Sequence, residues 1–148
     1  MSTSIYEDAL ARPDLFRWFG INSREFKLWL EALPVRVHPG LVDFWDRTGG
    51  GDIFESETLL GPLHPAEAEN VLKMNEYHWN NGLSEEMVLF HIGTFMSASH
   101  VDFPKHRNSV VTFKNDSYEI AKKFATFGDW YTKTLRAEFA DRYGLRSS

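Results

Sequence analysis

The 148-residue sequence contains no cysteine, and this absence excludes disulfide bonds, thiolate zinc sites and a cysteine nucleophile. It also has no apolar run near the roughly 20 residues that a membrane-spanning helix needs. The polar stretch 1–8 has no basic segment followed by an apolar one, so it does not resemble a secretory signal. These absences predict a cytoplasmic protein that has no membrane partner and no covalent cross-links.

Basic side chains are scarce in the middle of the sequence. Residues 41–90 hold ten acidic and two basic side chains, a balance of −8, whereas residues 1–40 balance to 0 and residues 101–148 to +3. An acidic segment repels phosphate, so we expect no nucleic acid as a partner of that surface. The segment suits a basic protein partner, although acids that only keep a surface soluble give the same pattern.

Aromatic residues are abundant, with 12 Phe and 5 Trp. Each buries a large apolar area, so a chain of this length can build a full core as one domain, 1–148. Turn residues and apolar spacing predict an order of helix, helix, strand, helix, three strands and two helices. The predicted ranges are a helix capped by Ser23 and ended by Pro34, a helix from Pro39 to the glycines 49–51, strand 53–60, helix 65–80, strands 87–92, 99–103 and 109–113, helix 117–124, and a helix from Asp129 to Gly144. Clustered strands between helices indicate an α+β fold, and the short turns favour antiparallel neighbours.

The three glycines Gly49, Gly50 and Gly51 stand between a predicted helix and a predicted strand. A Gly-rich phosphate loop is excluded, because no Lys-Ser/Thr pair follows and Asp52 would repel an anion. A helix end often needs a left-handed residue, which glycine adopts without strain. We therefore expect positive φ at one or more of the three.

Six histidines invite a metal-site hypothesis, and the best set is His91, His100, Asp102 and His106. If strands 87–92 and 99–103 pair, His91 and His100 approach each other, and imidazole with carboxylate suits zinc or iron. The spacing matches no metal-binding motif, however, and no helix carries an i, i+4 histidine pair. Structural or exposed histidines are the better interpretation, so we expect no metal and no cofactor.

Two further catalytic patterns are weak. Ser97 and Ser99 lie near His100, but the sharp-turn motif of serine hydrolases is missing. Glu55 and Glu57 alternate onto one face of the predicted strand, about 7 Å apart, a separation used in glycoside hydrolysis. Such a pair is common on polar strand faces, so we expect no enzyme. A small metal-dependent enzyme built on His91, His100 and Asp102 stays as an alternative.

Several short motifs occur in an order that resembles the SUKH superfamily. They are Leu33-Pro34, the helix ending in three glycines (41–51), the apolar strand followed by glycine (88–93), Val110-Val111 and the segment Phe127-Gly-Asp-Trp-Tyr131. Together they span roughly residues 33–135, and no single motif is specific. The resemblance implies an α+β fold whose mixed, mostly antiparallel sheet is flanked by helices.

The same resemblance implies a non-enzymatic protein-binding role. Bacterial members of the superfamily are immunity proteins, which neutralise polymorphic toxins delivered by contact, and many of those toxins are nucleases. Other members are scaffold or regulatory domains, which is the alternative function here. The family has no catalytic residues to transfer to this chain.

A nuclease toxin must present a basic surface to nucleic acid, and an acidic surface of this chain could cover it. Asp43 and Asp46 lie on the helix before the glycines. Asp52, Glu55 and Glu57 lie on the predicted strand after them. The sequence therefore predicts that these five acids gather at one helix–strand corner and bind the toxin.

The missing ligand spacing yields a first prediction. Protein purified without chelator or affinity tag should contain well under one equivalent of zinc, iron, manganese or nickel by elemental analysis. A stoichiometric metal that is lost in the variant His100→Ala would contradict this expectation and favour the enzyme alternative.

Overall fold

The computed structural model describes residues 4–33, 36–101 and 107–145. In chain order the helices are α1 (Ile5–Ala11), α2 (Ser23–Ala32), α3 (Pro39–Thr48), α4 (Val71–Asn80), α5 (Phe127–Tyr131) and α6 (Ala137–Tyr143). The strands are β1 (Phe16–Trp18), β2 (Gly51–Ile53), β3 (Glu57–Leu59), β4 (Met87–Ile92), β5 (Met96–His100), β6 (Val110–Phe113) and β7 (Ile120–Phe124). Short 3-10 turns occupy Pro13–Leu15 and Glu67–Glu69, and a π-helical segment, Thr132–Arg136, joins α5 to α6.

The seven strands form one sheet in the order β1 to β7, and each strand pairs antiparallel with its neighbours. One parallel contact is present, the isolated bridge between Gly61 and Asn70. The predicted α+β class with a mostly antiparallel sheet is therefore confirmed. Within the described ranges, no helix is long and apolar enough to cross a membrane.

One face of the sheet carries the main core. Register places Trp18, Leu59, His91 and Ser97 in one row across β1, β3, β4 and β5, and alternation puts their side chains on the same face. Helices α3 and α5 cover this face with large buried aromatics, which include Phe44, Trp45, Phe127 and Trp130.

Helix α4 covers the edge of β4 beyond the end of β3. The Asn75 side chain accepts from the Leu89 N–H at 2.7 Å and donates to the Leu89 carbonyl at 2.8 Å, as a neighbouring strand would. Trp79 Nε1 donates to the Met87 carbonyl at 2.8 Å. Both strand polar groups and the buried amide are thus satisfied, which removes the cost of an unpaired strand edge.

Several element boundaries differ from the sequence prediction. The predicted strand 53–60 is two strands, β2 and β3, joined by a turn at residues 54–56. The predicted helix 117–124 is wrong, because Ile120–Phe124 pairs with β6 as strand β7. Helix α4 begins at Val71 rather than at 65, and strand β5 begins at Met96 rather than at 99. Helix α1 and strand β1 were not predicted.

Two helix caps are also at residues other than the predicted ones. Asn22 caps α2 by accepting from the Glu25 N–H at 3.0 Å, one residue before the predicted cap Ser23. Thr126 caps α5 by accepting from the Asp129 N–H at 3.0 Å, so Asp129 lies inside the helix that it was predicted to cap. The predicted end of the last helix at Gly144 is confirmed.

The positive φ expected at the glycine turn is confirmed. Gly49 caps α3 with a φ of 75°, and Gly50 has a φ of 88°. The chain also passes very close to its neighbours here. A Cβ on Gly49 would lie 2.1 Å from the carbonyl oxygen of Gly20, and a Cβ on Gly51 would lie 2.6 Å from that of Arg17. Glycine is needed for close approach as well as for backbone conformation.

A buried polar cluster joins the two ends of the fold. The Asp8 carboxylate on α1 accepts from Tyr131 Oη at 2.6 Å and from Arg136 Nε at 2.9 Å. All three residues are buried. Burial and the neighbouring carboxylate raise the pKa of Tyr131 far above its ordinary value, so this hydroxyl stays protonated and donates. The cluster fixes α1 against the last helical stretch of the chain.

Two left-handed helix caps separate the steric cost of a side chain from its conformational cost. Gly144→Ala at the end of α6 meets no atom within 4 Å and should cost only about 1–2 kcal/mol for its φ of 67°. Gly49→Ala carries a similar conformational cost plus the clash with Gly20, so it should lower the free energy of unfolding by more. Urea unfolding of both variants measures this difference. Equal losses of unfolding free energy in the two variants would show that the close approach at Gly49 adds no measurable cost.

Candidate functional site

The turn between β2 and β3 holds two consecutive residues in the left-handed conformation. Phe54 has a φ of 51° and Glu55 a φ of 67°, and neither is glycine. Phe54 is buried and stacks on Phe139 with a centroid distance of 5.0 Å, and its N–H donates to the Leu15 carbonyl at 3.0 Å. Packing of this aromatic ring holds a strained turn whose next residue, Glu55, faces solvent.

Helix α3 presents two of the predicted acids to solvent. Asp43 is compensated, because its Oδ2 lies 3.1 Å from Arg47 Nε. Tyr6 packs beneath this ion pair, with the Arg47 guanidinium 4.7 Å from the centre of its ring. Burial and the nearby Asp43 raise the pKa of Tyr6 to about 12. Asp46 is exposed, and within residues 4–33, 36–101 and 107–145 no cation pairs with it.

Asp52 does not join the acids of α3. Its neighbours on β2, Gly51 and Ile53, belong to the core face that α3 covers, so alternation directs Asp52 to the opposite face. There it is half-buried, and its Oδ1 accepts from the Thr58 hydroxyl at 2.9 Å. The sheet therefore separates Asp52 from Asp43 and Asp46, and the single acidic corner expected from the sequence is divided.

Glu57 is the clearest correction to the predicted interface, because its side chain is buried with a relative exposure of 0%. Its carboxylate accepts from the Ser56 hydroxyl at 2.6 Å, and from the Thr94 N–H and hydroxyl at 3.1 Å each. His91 Nε2 lies 2.9 Å from Glu57 Oε1. A buried carboxylate with this many donors is a structural element of the core and offers no charge to a partner. Glu55 and Glu57 also do not share one strand face, since Glu55 lies in the turn.

The hydrogen bonds continue from Glu57 through the core. His91 Nδ1 lies 3.0 Å from Ser97 Oγ, and Trp130 Nε1 donates to the same oxygen at 2.9 Å. One arrangement of protons satisfies every atom: Trp130 donates to Ser97, Ser97 to His91, and neutral His91 to Glu57. The chain of bonds links β3, β4, β5 and α5, and we call it the Glu57 network.

The pKa values agree with this assignment. Burial lowers the pKa of His91 below its ordinary 6.5, and the bond to Glu57 only partly opposes that effect. Burial pushes the pKa of Glu57 upward, but the hydrogen bonds from His91, Ser56 and Thr94 outweigh it and leave that pKa below 4.5. At neutral pH the network therefore holds a neutral imidazole and an ionised carboxylate.

Ser97, His91 and Glu57 have the residue types of a hydrolytic triad, yet they lack access to a reactant. Ser97 and His91 both have a relative exposure of 0%. The Ser97 oxygen already accepts the Trp130 N–H, and both His91 nitrogens are engaged. A nucleophile must reach a substrate carbonyl, so this trio cannot act as one in the folded state.

The structure does not bring the four candidate metal ligands together as a site. His91 is occupied by the Glu57 network, and His100 is buried on β5. Asp102 and His106 lie outside the described residues. Within the part of the chain that the structure describes, no three His, Asp or Glu side chains are arranged to hold a metal ion.

Comparison with known proteins did not identify a family for this chain. The chain matches no family model, and no curated protein matches it. The resemblance to the SUKH superfamily rests on motif order alone.

The Glu57 network predicts a loss of stability in acid. His91 has a lower pKa folded than its ordinary 6.5, so below that pH the unfolded chain takes up a proton that the folded chain refuses. The free energy of unfolding should fall as pH decreases from 6.5, and Glu57 should add a further fall below 4.5. The variant His91→Gln should show a shallower pH dependence between pH 6.5 and 5 in chemical denaturation.

A matched control separates this effect from general destabilisation. Burial also lowers the pKa values of His38 and His78, so the wild-type slope has several contributors and only the difference between variants is informative. Trp130→Phe removes one hydrogen bond of the network without removing a titrating group, so its slope should match that of the wild type. Equal slopes for His91→Gln and the wild type would contradict the assignment.

Proposed function

We propose that this chain is a non-enzymatic protein-binding domain that acts in the cytoplasm. More specifically, we propose an immunity protein that neutralises a contact-delivered toxin by covering a basic surface of it. The order of the SUKH-like motifs and the α+β fold with its antiparallel sheet support the proposal.

The observation that carries the proposal is the strained β2–β3 turn. Two consecutive left-handed residues cost roughly 1–2 kcal/mol each, and such strain concentrates where a protein presents a functional group. Here the buried ring of Phe54 fixes the turn while Glu55 projects from it. A charge held on a rigid element loses little conformational entropy on binding.

Three of the five predicted interface acids are unsuited to attract a partner at the β2–β3 turn. Asp43 already pairs with Arg47, Asp52 faces the other side of the sheet, and Glu57 is buried. Asp46 and Glu55 are exposed, and among the described residues neither has a cationic partner. These two acids are therefore the members of the predicted set that are free to attract a basic partner.

The physical effect of such charges is mainly kinetic. Exposed charges steer a partner of opposite sign and raise the association rate, whereas contacts buried in the interface set the dissociation rate. An immunity protein benefits from fast capture, since the toxin acts from the moment it enters the cell. The mechanism needs no catalytic group on this chain.

The kinetic test uses the double variant Asp46→Asn, Glu55→Gln against the protein that co-purifies with the wild-type chain when the neighbouring genes are co-expressed. Association should slow by roughly tenfold at low salt and by much less at high salt, because steering is screened. Folding stability should change by less than about 0.5 kcal/mol.

The control is the double variant Glu85→Gln, Glu86→Gln. It changes the net charge by the same amount. Both acids are exposed and directly precede β4, whereas β3 pairs with the other end of β4. If both variants slow association alike, net charge rather than the β2–β3 turn governs binding. Failure of the neighbouring gene product to co-purify with the wild-type chain would contradict the immunity proposal itself.

A further inference from the structure

A cavity of about 450 Å³ lies between the C-terminal helical stretch and the strands β6 and β7. Its walls include four apolar side chains: Phe95, Phe113, Ala121 and Ala137. The volume lies within the range of sites for small organic ligands and exceeds what a bare ion fills. The cavity shares no acid with the proposed toxin interface.

Two lysines line this cavity. Lys122 lies on β7 opposite Thr112, and Lys133 lies in the π-helical segment. Within the described ranges neither lysine forms an ion pair, although other exposed lysines do, such as Lys114 with Glu119 at 3.0 Å. One carboxylate, that of Glu138, also lines the cavity, so the two lysines leave a net positive charge there.

Thr112 also lines the cavity, and it can present its hydroxyl to a ligand. Thr112 is only 5% exposed, and no group in the described parts of the chain hydrogen-bonds its hydroxyl. The two other threonine hydroxyls at the cavity are occupied. That of Thr94 donates to Glu57 at 3.1 Å, and that of Thr134 donates to the Trp130 carbonyl. The Thr112 hydroxyl is therefore available to donate a hydrogen bond to a ligand in the cavity, or to accept one from it.

The π-helical segment supports the same interpretation. A π turn is rare, and it occurs frequently at functional sites because it redirects side chains that a regular helix would place elsewhere. Here the segment supplies Lys133 and Thr134 to the cavity, while Leu135 and Arg136 stay buried on the other side.

We propose that this cavity binds a small phosphate monoester, a function beyond the binding of a toxin. A phosphate monoester carries a charge of about −1.5 to −2 at neutral pH. The two lysines attract it although Glu138 offsets part of their charge, and its oxygens accept hydrogen bonds from ammonium and hydroxyl donors. Lys122, Lys133 and Thr112 hold the phosphate. The apolar walls, with Phe95 at the β4–β5 turn, contact the organic part of the ligand.

The test is an NMR titration of the full chain with phenyl phosphate, inorganic phosphate and phenol at low ionic strength. Phenyl phosphate should shift the amide signals of the cavity residues and bind more tightly than inorganic phosphate, because the organic part adds apolar contact. Phenol should bind at least tenfold more weakly, since it lacks the charge. Binding of phenol as tight as that of phenyl phosphate, or no shifts with either phosphate, would overturn the proposal.

Matched variants locate the site. Lys122→Gln and Lys133→Gln should each weaken phenyl phosphate binding about tenfold, and Thr112→Val should weaken it several-fold. Lys123→Gln is the control, because Lys123 is exposed on the same strand but alternation directs it to the opposite face. An equal loss in Lys123→Gln and Lys122→Gln would show that general charge attraction, and not this cavity, accounts for the binding.

Discussion

The burial of the Glu57 carboxylate is the constraint on which the rest of the structure depends. An ionised group in a core is tolerated only where hydrogen bonds replace its lost hydration. The donors come from residue 56, from the β4–β5 turn at Thr94 and from His91 on β4. Gly93 must also remain small, because a Cβ there would lie 2.2 Å from Glu57 Oε1. Strand pairing, turn geometry and the tautomer of His91 are thus fixed together.

This constraint also separates the polar groups that the core uses from those of the two surfaces proposed to bind ligands. Polar side-chain atoms of the core are hydrogen-bonded to one another, as His91 and Trp130 are to Ser97. These residue types could act in catalysis, but here their hydrogen bonds specify the arrangement of the core. The charged side chains that are proposed to bind partners lie at two separate places. Acids project near the β2–β3 turn and on α3, and lysines line the cavity beside the π-helical segment.

The sequence predicted the elements whose signals are local. Pro39 and the glycines bound α3, the apolar run 87–92 gave β4, and Gly144 ended the last helix. Strand β7 was missed because Ser117 and Ile120–Phe124 read as a capped helix, while pairing with β6 decides the structure. Glu57 was misplaced for a similar reason. A carboxylate looks solvated in sequence, and its partner His91 lies 34 residues away. The alternation of Glu57 with the buried Leu59 was the signal that could have placed it inside.

The contact of Asp8 with Tyr131 and Arg136 has a consequence for synthesis of the chain. These partners are separated by 123 and 128 residues, so α1 is synthesised long before the two residues that bind Asp8. The sheet, in contrast, pairs each strand with the next along the sequence, and it can grow as translation proceeds. The bonds of Asp8 to Tyr131 and Arg136 therefore form after the strands between them have been synthesised, so this contact of α1 is completed later than the pairing of neighbouring strands.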